Sequence, residues 1–310
     1  MAVAMAIDAL VGWPDFLFAR VGHPVTWLGN LVTFMDQHAN READAPLTRR
    51  AAGIVVALTV IASAAGIGWA VQHWMVVAGP IGAMLLGILA WPFVAVRSLY
   101  AHVAAVRDPL FAGNMEAARK AVSMIVGRDP EKLDEAGIAR AAIESLSENT
   151  SDGIVAPLFW GALFGLPGII GYKAVNTLDS MIGHRNARHE AFGWAAAGID
   201  DIANFIPARL TGLMFALLAK GKLRSKALSC MRQDARHHRS PNAGWPEAAM
   251  AGALDVRLGG PRSYGDEVAD EPWLNGFAID PVAATITQGL QLYFHAMFAL
   301  AAVFVLIALF

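Results

Sequence analysis

Glu144-Ser-Leu-Ser-Glu148-Asn149-Thr-Ser-Asp152-Gly153 places three carboxylates at i, i+4 and i+8, directly before the apolar run Ile154–Tyr172. On a regular helix these positions share one face. Like charges at that spacing repel by roughly 0.2–0.5 kcal/mol per pair. A bound cation offsets the repulsion. The hard oxygens of Glu144, Glu148, Asp152 and the Asn149 amide suit Mg²⁺, which takes one or two carboxylates together with substrate phosphates. A solvated acidic helix face is the plainer alternative. Position favours the cation, because charges at the mouth of a membrane segment are costly to keep without a role.

The rest of the composition agrees with a membrane setting. Of 310 residues, 56% are hydrophobic and 16% charged, with mean hydropathy +0.45, whereas soluble domains run near 45–50% apolar and about 25% charged. A net charge of -2 without a polybasic block argues against nucleic acid. One cysteine, Cys230, excludes an intrachain disulfide and a multi-thiolate metal site, and reads as a packing residue. Met1–Leu10 carries Asp8 and no basic residue, so no cleaved signal peptide is expected.

These features predict an all-α, polytopic integral membrane protein with broken or re-entrant helices and cytoplasmic helical segments, built as a single membrane-embedded domain. Residues 1–35 are apolar but broken by Asp8, Asp15, Arg20 and His23, so a full span there is not expected. His23 before Pro24 suits either a ligand or a turn cap. Span candidates are 51–71 and 74–96, read as a hairpin around Gln72-His73, then 153–172 (broken by glycines and prolines), 208–219 (short) and 290–310. The basic helical stretch 97–152 and the loop 220–285 are expected in the cytoplasm.

A second polar constellation follows the broken segment. Asn176, Asp179 and Gly183 fall at i, i+3 and i+7, with Arg185 and Arg188 just beyond, and Asp200-Asp201-Ile-Ala-Asn204 continues the theme. Arginine suits bidentate capture of phosphate or carboxylate. A third cluster is Asp234, Arg236, His237-His238, Asn242, Trp245 and Glu247; adjacent histidines alone are weak evidence for a transition metal. Phosphate-loop, dinucleotide-fold, nucleophile-elbow and HExxH motifs are all absent. A transporter stays open on these grounds, since broken helices with polar groups at membrane depth are transporter features.

Several long motifs, in order along nearly the whole chain, resemble the membrane-bound adenosylcobinamide-phosphate synthases of cobalamin biosynthesis (the CobD/CbiB type). They are His23-Pro24-Val25-Thr26-Trp27, the Glu144–Gly153 stretch, Lys173-Ala-Val-Asn176-Thr-Leu-Asp179-Ser-Met, Asp200-Asp201-Ile-Ala-Asn204-Phe-Ile-Pro207-Ala-Arg209, and Ser240-Pro241-Asn242-Ala-Gly244-Trp245-Pro246-Glu247-Ala. Three positions depart from the family pattern: Gly12-Trp13-Pro14-Asp15 replaces a Gly-Asp-Pro, Asp255 stands where glycine is expected, and Gly265-Asp266 replaces a Gly-Gly.

The resemblance implies an ATP-dependent ligase that joins adenosylcobyric acid to an amino-alcohol phosphate, with Mg²⁺ as cofactor and ATP as co-substrate, in the inner membrane with its site facing the cytoplasm. A homo-oligomer or a complex with later cobalamin-assembly enzymes is compatible with it, as are contacts with membrane lipids. Glu144, Glu148, Asp152, Asp179, Asp200 and Asp201 are the metal candidates. Glu148, Asp152, Asp179, His237 and Glu247 are the catalytic candidates. His23, Trp27, Asn149, Lys173, Asn176, Arg185, Arg188, Asn204, Arg209, Asp234, Arg236, Asn242, Trp245 and Tyr264 are expected to bind substrates, with Trp27, Trp245 and Tyr264 against the flat corrinoid. A cytoplasmic site requires either that 153–172 and 208–219 re-enter, or that 173–207 lies deep in the membrane.

Overall fold

The computed structural model describes residues 1–126, 130–264, 267–269 and 271–309. Three short helices open the chain: α1 (Ala2–Val11), α2 (Asp15–Val21) and α3 (Pro24–Ala39). Gly12 and Gly22 end the first two at φ 66° and 70°, a backbone region that glycine enters freely. Pro24 then starts α3 at its first helical position. The charges that break this apolar stretch therefore coincide with a sharp bend, 107° between α1 and the α2–α3 run.

The next elements are α4 (Pro46–Val76), α5 (Gly79–Ala90), a 3₁₀ turn at Trp91–Phe93, α6 (Val96–Phe111), α7 (Met115–Val122) and α8 (Glu135–Thr150). A π-helical turn, Ser151–Val155, leads into α9 (Ala156–Phe164), α10 (Leu166–Ile182) and α11 (Trp194–Ala203). The chain continues through α12 (Phe205–Leu218), α13 (Leu223–Gln233), a 3₁₀ turn at Ala235–His237 and α14 (Gly244–Leu254). Two short antiparallel ribbons follow, β1 (Leu258–Gly259) with β4 (Trp273–Leu274) and β2 (Arg262–Tyr264) with β3 (Glu267–Ala269). The last helix is α15 (Ala283–Leu309).

The all-α membrane reading holds. Among the described residues, Pro46–Val76, Gly79–Phe111 and Ala283–Ala308 are long and apolar enough to cross a membrane. Two bent pairs, Ala2–Val11 with Asp15–Ala39 and Trp194–Ala203 with Phe205–Leu218, raise the number to five if each counts as one span. The first hairpin turns later than Gln72-His73. Both residues lie inside α4, and the reversal waits for Gly79 at φ 58°. Gln72 instead accepts a hydrogen bond from the Leu166 N–H at 2.7 Å, which caps the start of α10. The last helix begins at Ala283, earlier than the apolar run from 290, because Thr285 and Gln288 do not interrupt helical hydrogen bonding.

The chain forms two compact units. The first comprises Met1–Ala95 and Ala156–Asn204. Its core is the seam between α4 and α10: Val56, Ala57, Val60 and Ala64 meet Ala174, Leu178 and Ile182, with Val32 and Phe192 closing the ends. Small residues let the backbones approach. A Cβ on Gly53 would stand 1.8 Å from the Phe192 carbonyl oxygen, and one on Gly68 would stand 2.9 Å from the Pro167 backbone. This is how helices associate where lipid removes the hydrophobic drive between them.

The second unit comprises Val96–Val155 and Phe205–Phe310. Here α14 is buried almost all round, so the run Gly244–Ala253 is small and apolar rather than amphipathic. It packs on α12 and α13, with Gly252 against the Ala227 backbone. Cys230 of α13 is buried, and that burial pushes its thiol up to about 11, as expected of a packing cysteine. Asp255 ends α14 in the left-handed region at φ 56°, which explains the glycine expected there. Aspartate tolerates that region, and its carboxylate pairs with Lys226. Tyr293 donates to the Val96 carbonyl at 2.8 Å, tying α15 to α6. Asp280 accepts from both Arg257 (2.8 and 2.5 Å) and Arg140.

Two outcomes follow from this packing. Gly53→Ala should lower the thermal unfolding midpoint of the detergent-solubilised protein, at a cost of about 1–3 kcal/mol; an unchanged midpoint would mean that the α4 seam yields. Asp280 is held down to about 2, chiefly by its hydrogen bonds to Arg257 and against the opposing effect of its partial burial. Its folded-state value lies below the ordinary one near 3.8, so its stabilisation is complete above that ordinary value and disappears as pH falls through about 2. The stability gap between the wild type and Asp280→Asn should therefore be widest at pH 5 and close towards pH 2.

Candidate active site

In the first unit, the polar side chains of α10 and α11 face one another across helices that pack together. Tyr172 donates to Asn204 Oδ1 at 2.8 Å, and Asn204 Nδ2 donates to Asp200 Oδ2 at 2.9 Å. All three residues are buried. The bonds work in series: the amide turns its acceptor to the phenol and its donor to the carboxylate. Lys173 Nζ donates to Asn176 Oδ1 at 3.1 Å, and its charge reaches the ring of His23.

Asp179 stands near the end of α10. Burial pushes its pKa up, the neighbouring Asp201 charge adds to that, and His184 opposes it. Arg185 in turn acts on Asp201. Gly183 leaves the space that the Asp179 carboxylate fills, since a Cβ there would lie 2.0 Å from Oδ1. Asp179, with the Asp201 charge acting on it, supplies hard carboxylate oxygens of the kind a divalent cation takes.

His23 and Arg188 have structural partners. His23 is the N-cap of α3: its Nδ1 accepts from the Val25 N–H at 3.2 Å, and Thr26 Oγ1 accepts from the His23 N–H at 3.3 Å. Trp27 is exposed, with its indole N–H on the Val21 carbonyl at 2.9 Å. The Arg188 guanidinium lies on Asp36 at 2.8 and 3.0 Å and reaches Glu42 at 3.4 Å. Its carbonyl takes Asn40 and Arg49, at 3.0 and 2.5 Å. Arg188 thereby staples its loop to α3 and the turn after it.

In the second unit, Glu144, Glu148 and Asp152 do not follow one regular face. α8 ends at Thr150 and the π turn widens the backbone before Asp152, shifting every later side chain around the axis. Glu144 is buried, and its Oε1 accepts from the Gly259 N–H at 2.7 Å. Glu148 and Asn149 are exposed, and Asp152 is half-buried on the π turn, which packs against α12. Asn149 Nδ2 bonds back to the Ser145 carbonyl at 2.9 Å. Among the described residues, no group of three or more His, Cys, Asp or Glu side chains gathers as a metal site. That still leaves room for Mg²⁺ held by one or two carboxylates and completed by phosphate oxygens.

The tightest constellation lies between α12 and α14. The Arg209 guanidinium sits 3.6 Å from the Phe205 ring centroid and 4.4 Å from that of Trp245. It donates to the Phe205 carbonyl at 2.6 Å and to Asn242 Oδ1 at 3.3 Å. A guanidinium flanked by two aromatic rings and tied at one edge is pre-organised for an anion at the other. Beside it, His238 Nδ1 lies 3.0 Å from the Ser240 backbone nitrogen and 3.3 Å from the Ser240 carbonyl oxygen, which fixes the ring against that turn. Nε2 faces Glu247 Oε2 at 3.6 Å, with both side chains largely buried. A Cβ on Gly244 would lie 2.6 Å from the His238 Cβ, so glycine there is what admits the histidine.

His238 thus faces Glu247, whereas His237 and Arg236 are exposed on the 3₁₀ turn. Adjacency in sequence could not separate the two histidines; the ring-to-Ser240 bond does. Asp234 serves the fold by accepting from the N–H of Asn275, which sits at φ 54°, at 2.8 Å. The side chain of Tyr264, and Gly265-Asp266, lie outside the described residues. Arg140, Arg257, Trp273 and Asp280 form a further cluster that no local motif announces.

The sequence matches the family described as CobD/Cbib protein over residues 1–293. The chain belongs to the CobD/Cbib family. It is 60% identical over 308 residues to a cobalamin biosynthesis protein CobD of Rhodobacter capsulatus, covering 99% of this chain and 96% of that one. It is 49% identical over 280 residues to the protein of that name from a Sinorhizobium species, covering 89% and 87%. The Brucella suis protein of the same name is 48% identical over 279 residues, covering 89% and 85%. No solved structure matches. The Arg209–Asn242–Trp245 and Tyr172–Asn204–Asp200 constellations give a geometry to motifs that otherwise mark CobD/Cbib membership only as strings of residues.

The buried relay can be tested directly. Asn204→Leu removes both of its bonds and should cost about 1–3 kcal/mol, whereas Tyr172→Phe removes one and should cost about 0.5–1.5. Equal thermal unfolding midpoints for the two variants would break the series arrangement.

Proposed function

We propose that this CobD/Cbib protein is an ATP-dependent amide ligase. It joins the free propionate carboxylate of adenosylcobyric acid to the amine of (R)-1-amino-2-propanol O-phosphate, or of ethanolamine phosphate, and yields adenosylcobinamide phosphate. The observation that carries the reading is the Arg209 guanidinium, held between Phe205 and Trp245 inside motifs that mark the family. Every substrate in this reaction except the corrinoid carries phosphate, and a pre-positioned guanidinium is suited to hold one.

The chemistry needs activation before bond formation. A carboxylate does not react with an amine until one of its oxygens becomes a leaving group. Attack of the propionate oxygen on the γ-phosphorus of ATP forms an acyl phosphate and releases ADP. The amine then adds to the acyl carbon, phosphate departs, and the nitrogen gives up a proton. Phosphoryl transfer relies on positioning and positive charge more than on a protein nucleophile. In the second unit Arg209 is the cation for that task; in the first, Lys173 and Arg185 offer positive charge to a substrate phosphate. Glu247, oriented by His238, is the group to take the amine proton. Mg²⁺, when bound, would neutralise charge on the transferring phosphate; Glu148 and Asp152 are the carboxylates suited to hold it in the second unit, and Asp179 with Asp201 form a separate candidate pair in the first.

The test is mass spectrometry of the purified full chain incubated with adenosylcobyric acid, Mg·ATP and each amino-alcohol phosphate. The expected result is adenosylcobinamide phosphate with one ADP per amide. Asp152→Asn and Arg209→Gln should each lower the rate at least a hundredfold, with the unfolding midpoint kept. Near-normal turnover in either variant would remove that residue from the site, and no product from any pairing would sink the ligase reading. The bent helix pairs favour one rival, a transporter. Substrate flux into vesicles without ADP formation would establish it instead.

A further inference from the structure

The segment just before α15 combines features that the ligase chemistry does not use. Arg140 of α8 and Arg257 both place their guanidinium over Trp273, at 4.7 and 4.4 Å from its ring centroid. Both also reach Asp280, the one carboxylate that ion pairs bring to them among the described residues. Glu144, one turn along α8 from Arg140, is buried and directs Oε1 at the Gly259 N–H. Arg257 and Asp280 each keep about a third of their side chain exposed, 34% and 35%. Ten guanidinium N–H donors therefore meet a carboxylate that cannot accept them all.

The apolar surface beside this cluster is open. Phe277, Ile279 and Val282 are exposed. The backbone of Ile279 is tied next to Arg257: the Arg257 N–H donates to the Ile279 carbonyl at 2.9 Å and Val256 bridges Ile279. The candidate span Ala283–Ala308 begins at the next residue after Val282. Exposed apolar side chains, a tryptophan and a pair of arginines at the foot of a membrane helix are what a bilayer interface accommodates.

We infer that Arg140, Arg257 and Trp273, with Phe277 and Ile279 inserted beside them, form a binding site for the phosphate of an anionic phospholipid headgroup. Asp280 occupies the guanidiniums when no lipid is bound and competes with the phosphate. The site lies within the second unit and is independent of the proposed ligase reaction.

The experiment titrates the full chain in detergent with dioleoylphosphatidylglycerol, dioleoylphosphatidylcholine or inorganic phosphate, and reads the thermal unfolding midpoint. Phosphatidylglycerol should raise the midpoint at a concentration several-fold below that needed for phosphatidylcholine, and millimolar inorganic phosphate should not. Arg257→Gln should abolish the preference between the two lipids. Phe277→Ser, at an exposed position, should weaken the response to both lipids. Asp280→Asn should strengthen the preference for phosphatidylglycerol several-fold, a gain that a purely structural ion pair would not produce. Equal responses to the two lipids in the wild type, a preference unchanged in Asp280→Asn and Arg257→Gln, or an equal shift with inorganic phosphate would each overturn the inference.

Discussion

A polar group placed inside a packed helical core has to find its hydrogen-bond partner within the protein, and that requirement shapes both units of this chain. Burying an unbonded amide or hydroxyl costs several kcal/mol on roughly the scale of transfer to hydrocarbon. The protein meets the demand with short chains of complementary groups. Tyr172, Asn204 and Asp200 are aligned donor to acceptor. Glu144 receives a backbone N–H from the β1 ribbon, and Asn275 uses its amide on two carbonyls near the end of α14. Side chains fixed in this way carry little freedom, and that rigidity is what a site for charged substrates needs.

The second constraint is backbone proximity. Helices in lipid gain from contact rather than from exclusion of water, so this chain places glycine and alanine where helices meet. Gly53 and Gly68 let α4 approach its neighbours in the first unit, and Gly252 does the same for α14 in the second. The same economy reaches the candidate site. Gly244 makes room for His238, and Gly183 makes room for the Asp179 carboxylate. Packing and chemistry thus draw on one feature, the missing Cβ.

Much of the fold was legible in the residues. The excess of apolar over charged side chains announces membrane helices, and the spans around 51–71 and 74–96 appear as Pro46–Val76 and Gly79–Phe111. Their boundaries were less legible, because hydropathy reports where lipid ends and not where helical hydrogen bonding ends. Gln72 and His73 look like a turn by polarity, yet helix geometry tolerates them and Gly79 makes the reversal. The acidic stretch Glu144–Asp152 was visible as a constellation, but its single helical face was not secure. A π turn leaves no mark in a sequence read at 3.6 residues per turn.

By itself the sequence determined the helical membrane class, the small-residue seams, and the motifs that place the chain in the CobD/Cbib family. These depend on composition and local order, which a string of residues carries completely. Only the tertiary structure decided which charged groups have partners in the fold. Arg188 is taken by Asp36 and Asp234 by Asn275, while Arg209 is held between two rings and His238, not its neighbour, meets Glu247. The reason is physical: a side chain's availability depends on distances to residues far along the chain, and no local spacing encodes those.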